Sequence, residues 1–401
     1  MDRRRYMRGL VLAAVVCCTL ALNVSSVSPA SSTSVPKKAP YVLGMDADFS
    51  SFFASYGTAL KAAWTAAFHT INVAGGINGH KVKVIYLDDA SVPTTTVSNA
   101  KQLVGSGALL VRSDPDSNSC AEIQPTTARA HIPLMCEAAY SNALSIPYGY
   151  TINLPESFYI PGVYSLITKK VGPAPKIAEL VIDVAGELAW ASAMSKEVGL
   201  KGGTISTDQL VPVTNLNDIT SQTSAILASH PDAVLSEGPP SMTVSFVEAL
   251  RAGGFTGPIY SLSPDYSSMI TLKDSNFYET YASEPVAPGS RLSGAATYVK
   301  SMAAVGLTGA TTINAATIGE DYLSALLVAK ALNSCGNSCT SRSLNKDLAQ
   351  TVVQDPGLTL PTGFGYTPTR HQPLKEWALY GYSASSKSQV VLTNLLAPAL
   401  P

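Results

Sequence analysis

Short apolar runs alternate with amphipathic stretches along most of the chain. Residues 41–45 read as a strand, followed by a polar loop and a helical period over 58–74. A strand over 82–87, a helix over 94–104, a strand over 108–111, a helix over 121–130 and an apolar run at 132–135 continue the series. Strands that alternate with helices of about 10 to 15 residues predict a parallel sheet covered on both faces. A second set begins after the Pro-flanked segment Asn153-Leu154-Pro155. Its helices are predicted over 160–170, 189–198, 219–228 and 242–252, and its strands over 177–182, 203–207, 233–235 and 258–260. Gly253-Gly254 after the last of these helices predicts a left-handed stop. Helices over 295–304, 315–332 and 343–352 lead to a strand-rich tail at 377–382 and 389–392.

The first residues set the compartment. Arg3, Arg4, Arg5 and Arg8 precede an apolar run of 14 residues from Gly9 to Leu22, shorter than the roughly 18 needed to cross a bilayer. Ser28-Pro29-Ala30 offers small residues at a cleavage site, so residues 1–30 read as a signal peptide for export to the periplasm or outside the cell. The arginine cluster fits a twin-arginine signal as well as a general secretory one. Cys17 and Cys18 raise a lipid anchor, which Val16 argues against. Cleavage removes four Arg and one Asp, leaving 23 basic against 27 acidic residues, a balance that implies no basic face for nucleic acid. Charged residues are 14% of the chain, below the usual share of about 25%. The length exceeds what one core usually serves and predicts two lobes.

Four cysteines remain after cleavage, in an oxidising compartment. Sequence neighbourhood favours Cys120 with Cys136 and Cys335 with Cys339 among the three possible pairings. A zinc site lacks companion ligands at finger spacing. Asp88-Asp89 at a strand end reads as loop capping, with a metal the alternative. The five His, at 69, 80, 131, 230 and 371, are scattered and read as surface or helix-end residues. No nucleophile elbow, zincin motif, phosphate loop or dinucleotide fingerprint is present. The chain therefore reads as a binding protein rather than an enzyme, with no cofactor.

An ordered set of residues carries a resemblance: Gly75-Gly76-Ile77-Asn78-Gly79-His80-Lys81-Val82, then Leu87-Asp88-Asp89-Ala90-Ser91-Val92-Pro93, then Ala100-Lys101-Gln102-Leu103-Val104. In this order they resemble the leucine/isoleucine/valine-binding protein family, and the resemblance continues through 249–258 and 322–332 to the strand near Trp377. It implies the type I periplasmic-binding fold, an α/β architecture of two lobes, each a mostly parallel sheet flanked by helices, with three crossings between them. The expected partition is 31–154 with 284–361 for the first lobe and 155–283 with 362–401 for the second.

The same resemblance implies the binding residues. Ser117 stands in the loop whose hydroxyl and helix start hold a ligand carboxylate in the family. Ala138 and Tyr140 lie in the turn that supplies a carbonyl and a hydroxyl, with Tyr140 where the family has Thr, an exchange that points away from branched-chain amino acids. Tyr56 resembles an aromatic residue beside the ligand. Asp265 resembles the carboxylate that pairs a ligand ammonium, and Glu187 replaces a ligand-facing tyrosine. The implied function is capture of a small polar solute, an amino acid, amide or related carboxylate, by a monomer that delivers it to the membrane permease of an ABC importer. A ligand sensor feeding a signalling receptor is the alternative, and a secreted hydrolase a distant third.

Overall fold

The computed structural model describes residues 38–113, 117–136, 147–152, 156–262, 266–281, 293–308, 316–359, 361–373 and 376–396. Its first sheet is built from β1 (Tyr41–Ala47), β2 (Val82–Asp88), β3 (Val111–Ser113), β4 (Leu134–Cys136) and β5 (Gly149–Thr151), in the order β2-β1-β3-β4-β5. Every pairing in it is parallel. The helices between strands are α1 (Ala54–Val73), α2 (Pro93–Gly105) and α3 (Ser117–Ala130). Being covered on both faces, β1 is buried along almost its whole length. Leu43, Met45 and Ala47 pack with Trp64 and Phe68 of α1, while Gly44 on the opposite face lies against Leu103 of α2. Such strands read as continuous apolar runs, which is why the sequence pattern finds them.

The second half repeats the plan. After α4 (Glu156–Val171) come β6 (Lys176–Ile182), α5 (Ala185–Leu200), β7 (Thr204–Val211), α6 (Thr220–Ala228), β8 (Ala233–Glu237), α7 (Pro240–Ala252), β9 (Ile259–Ser261), α8 (Tyr266–Leu272) and β10 (Phe277–Tyr281). Three more helices, α9 (Ser293–Ala304), α10 (Ala316–Cys335) and α11 (Ser341–Leu348), precede a two-stranded piece, β11 (Val352–Val353) with β12 (Phe364–Gly365). The chain ends in β13 (Glu376–Ser383) and β14 (Ser388–Leu396). The second sheet runs β14-β13-β10-β9-β8-β6-β7. Its parallel part, β7-β6-β8-β9-β10, has the winding of the first sheet, and β13 and β14 extend it antiparallel.

The later helices return to the first sheet. Both α9 and α10 pack on α1, and Trp64 donates from Nε1 to Ser324 Oγ at 2.9 Å. A buried ion pair, Arg112 Nη2 to Asp321 Oδ1 at 2.9 Å, joins β3 to α10. The segment after β12 also stays there. Tyr366 donates to the Thr151 carbonyl at 2.9 Å, Thr151 N donates to the His371 carbonyl at 3.0 Å, and the His371 ring stacks on Tyr150 at 4.3 Å between centroids.

Several elements differ from the sequence expectation. α1 begins at Ala54 rather than at 58, with Gly57 inside its first turn, because a Cβ there would lie 2.1 Å from the Asp48 carbonyl oxygen. Glycine lets the helix start pack directly on that loop. Behind α7, Gly254 and not Gly253 takes the left-handed conformation, at φ 89°. Gly253 serves close packing instead, since a Cβ on it would meet Leu227 at 2.3 Å. The third strand lies at 111–113, past the apolar 108–111 run, and β5, α8 and β10 were not foreseen. His131 and His230 do end helices, both with positive φ, whereas His371 is packed into the first half.

Candidate functional site

Loops at the carboxyl ends of the strands build the site, as the winding of an open α/β sheet dictates. On the first sheet the loop after β1 is wrapped around Asp48. Its fully buried carboxylate accepts from the amides of Ser50 at 3.0 Å, Ser51 at 2.6 Å and Phe53 at 2.8 Å, and from Ser91 Oγ at 2.9 Å. Asp88, at the end of β2, accepts from the amides of Phe49 at 2.9 Å and Ala90 at 3.1 Å. Against the opposing effect of burial, these amides hold its carboxyl below the usual range. Asp89 takes the Ser91 amide at 2.9 Å, Thr96 Oγ1 at 3.1 Å and Ser119 Oγ at 2.8 Å. The Asp88-Asp89 pair therefore caps loops and helix starts, and no cluster of three metal-ligating side chains occurs among the described residues.

Two contacts carry this edge to the second sheet. Phe53, 4% exposed, belongs to the apolar cluster that holds Ile182 at the end of β6 and Met242 in α7, with Phe52 and Tyr56 packed against it. The Phe52 and Phe53 rings are 4.0 Å apart, and Tyr56 lies 6.2 Å from Phe53. In addition α3 touches α5. An aromatic contact at the carboxyl ends of the sheets and a helix contact thus link the two halves.

The sequence-derived residues fall on this frame unevenly. Ser117 is the first residue of α3, so it stands where the amides of a first turn have no partner within the helix. Tyr56 is half-buried in the aromatic contact. Glu187 lies in the first turn of α5, where a carboxylate is favoured by the helix dipole. Ala138, Tyr140 and Asp265 lie outside the described residues. The Cys120 and Cys136 sulfurs are at bonding distance with Cα atoms 6.0 Å apart, as are Cys335 and Cys339 at 5.2 Å. Asp89 has the loop-capping role read for the Asp88-Asp89 pair, whereas Phe53, Asp48 and Ser119 were missed by the sequence reading. The only signal for them was an apolar Phe52-Phe53 pair in a polar loop next to a buried strand.

With two like-wound sheets meeting at their carboxyl ends, the comparison with known families is decisive. The model of the family described as periplasmic binding protein matches residues 40–387. The chain belongs to this family. A Leu/Ile/Val-binding protein homolog of Brucella melitensis is 38% identical over 73 residues, 18% of this chain and 20% of that protein. The matched stretches span only 20% and 25% of the length of the curated relatives. Among solved structures, a branched chain amino acid ABC transporter from Thermus thermophilus with bound valine superposes with a TM-score of 0.81 at 13% identity, covering 91% of this chain and 98% of that one. An ABC transporter solute binding protein of R. palustris in complex with benzoate gives 0.75 at 15% identity, covering 90% and 98%. At such identities the likeness is one of fold, and it bears out the two-sheet α/β periplasmic-binding architecture. Among the described residues no helix of this family member is long and apolar enough to cross a membrane.

Proposed function

We propose that the protein is the extracytoplasmic solute receptor of an ABC importer, closing two lobes on a small polar ligand and presenting it to a membrane permease. The observation that carries this reading is the meeting of the carboxyl ends of two like-wound sheets, with Phe53 of one half seated in the apolar cluster of the other. Lobes joined in this way can hinge shut and bury a solute. The first lobe comprises the first sheet with α9 to α11, and the second lobe the second sheet with α4. The hydrogen bonds of Thr151 with His371 and Tyr366 favour a third crossing after His371 rather than at Pro361. The protein acts as a monomer after export behind residues 1–30, and its role is capture rather than catalysis.

In this reading the start of α3 at Ser117 receives a ligand carboxylate, and Asp265 supplies the charge for an ammonium. Tyr140 in place of Thr favours a second class, flat aromatic carboxylates, and the benzoate bound by the R. palustris protein shows that the fold accommodates one. A thermal-shift panel of amino acids, amides, short carboxylates and aromatic acids decides among them. A ligand present at 100 times its Kd raises stability by about 2.7 kcal/mol. A panel in which nothing shifts the melting temperature argues against small-solute capture.

A further inference from the structure

We propose that Cys120 and Cys136 are positioning residues for the candidate site: their bridge pins the first turn of α3, which receives the solute carboxylate, to the carboxyl end of β4. The amides of that turn then stand preset before a solute arrives. The proposal rests on the solute-binding reading for its functional meaning, while the pinning itself is a property of the protein without ligand. Cys120 lies one turn into α3 from Ser117, and Cys136 is the last residue of β4. Their sulfurs are at bonding distance. Both residues are buried in an apolar cluster with Val111, Ile123 and Leu134, on the face of the sheet that α3 covers.

The rest of the helix holds this turn less firmly than a regular helix would. Pro125 stands inside α3 and has no N–H to donate to the Ala121 carbonyl, so the turns before it are joined to those after it by one bond fewer. The sheet holds it from two sides. Ser119 donates to Asp89 beyond the end of β2 at 2.8 Å, and the bridge reaches β4. In the order β2-β1-β3-β4-β5 these attachments flank β1 and β3, so the turn is held across the middle of the sheet. The β4 end is itself a fixed point. Its Cys136 carbonyl accepts from the Ile152 amide at 3.0 Å. On the opposite face the Arg112 guanidinium donates to the Ser113 carbonyl, lies 3.5 Å from that of Met135 and is anchored on Asp321. The ladder between β3 and β4 pairs Val111 with Leu134 and Arg112 with Met135, and among the described residues it stops short of Ser113 and Cys136. The bridge thus takes over where the ladder ends. Donors held in this way receive a carboxylate without first being ordered, which is the gain of a preformed site.

Two variants that each lose one bridge test this. Cys120→Ala with Cys136→Val keeps apolar bodies in the cluster and removes the link, and Cys120→Ser with Cys136→Ser is a second form of the same loss. Cys335→Ser with Cys339→Ser removes the other bridge, whose loop is tied through Gly336 to Tyr41 at the amino end of β1. In hydrogen exchange without ligand, amides in the first turns of α3 should lose protection by about tenfold or more when the Cys120–Cys136 link is gone. Amides of α6, on the second sheet, should stay as in wild type, and loss of the other bridge should leave α3 unchanged. Calorimetry follows with benzoate, with L-valine, the solutes of the two structural neighbours, and with any other panel member that wild type binds. Affinity should weaken about tenfold on loss of the Cys120–Cys136 link alone, because the turn must then be ordered on binding. A bridge that merely stabilises the fold leaves the affinity of the folded protein untouched. Protection of α3 unchanged without the link, or equal affinity in the two bridge variants, overturns the proposal. A link whose loss loosens α3 in a protein that binds none of the solutes supports the pinning and defeats the binding reading, so the two failures are distinguishable.

Discussion

The first strand of each parallel set carries a fully buried acid, and the two are held in different ways. Asp46 in β1 has the Asn99 amide and a neighbouring carboxyl, next to loops that build the site. Glu179 in β6 alternates with Ile177 and Val181 on an apolar layer that includes Trp190 and Met194, and neither of its oxygens has a partner among the described residues. Burial pushes Glu179 up to about 8, with the nearby Asp208 adding to it. The two halves share a winding but not the handling of charge. Where an acid is networked it orders neighbouring loops, and where it is alone it burdens the core with a group that must stay protonated.

The largest effect is expected on the partnered side. Arg112 and Asp321 are both buried, so Arg112→Ala leaves an uncompensated charge and should cost about 3 to 5 kcal/mol in denaturant unfolding. Replacing both by apolar residues should recover most of that loss. A single variant as stable as wild type would show that the pair is not what holds α10 to β3.

The next effect is covalent and again confined to the first half. Cysteine is absent from 155–283 and 362–401, while Cys120 and Cys136, 16 residues apart, join α3 to β4. Replacing both by Ser should cost about 3 kcal/mol, the loop-closure value for a bridge of this span. Peptide mapping of the oxidised protein should recover Cys120 linked to Cys136 and Cys335 linked to Cys339, and cross-linked sets would refute the assignment.

The smallest effect has the opposite sign. Glu179→Leu should raise stability by about 1 to 3 kcal/mol near neutral pH, the range for an unsatisfied buried polar group. Because the folded protein keeps this proton up to about 8 while the ordinary value is 4.5, wild-type stability should fall as pH rises between those limits. The gain from the variant should therefore grow with pH. A variant that is destabilised throughout would erase the contrast between the two acids.

The legible part of the fold is the part whose strands are buried on both faces. β1, β6 and β8 stand out as apolar runs, and α2 and α7 announce themselves by Pro93 and Pro240 at their first positions. β10 escaped because Phe277 and Tyr278 face opposite clusters and a buried Glu279 interrupts the pattern. β5 is three residues long. In the site, Ser117 and Glu187 could be placed at helix starts from local sequence. Phe53 could not, since its burial exists only once the two sheets are assembled, and Asp46 finds Asn99 across 53 residues of chain.

The antiparallel extension of the second sheet has a kinetic consequence. β13 pairs with β10 through Tyr278–Gly381 and the positions beyond, a separation of about a hundred residues that places this pairing among the slow, non-local events of folding. Until the segment 376–396 is available, β10 presents an open edge to any other strand in reach. A nascent chain thus passes through a stage in which its helices can form but its second sheet is still adhesive, and the final strands act as its seal.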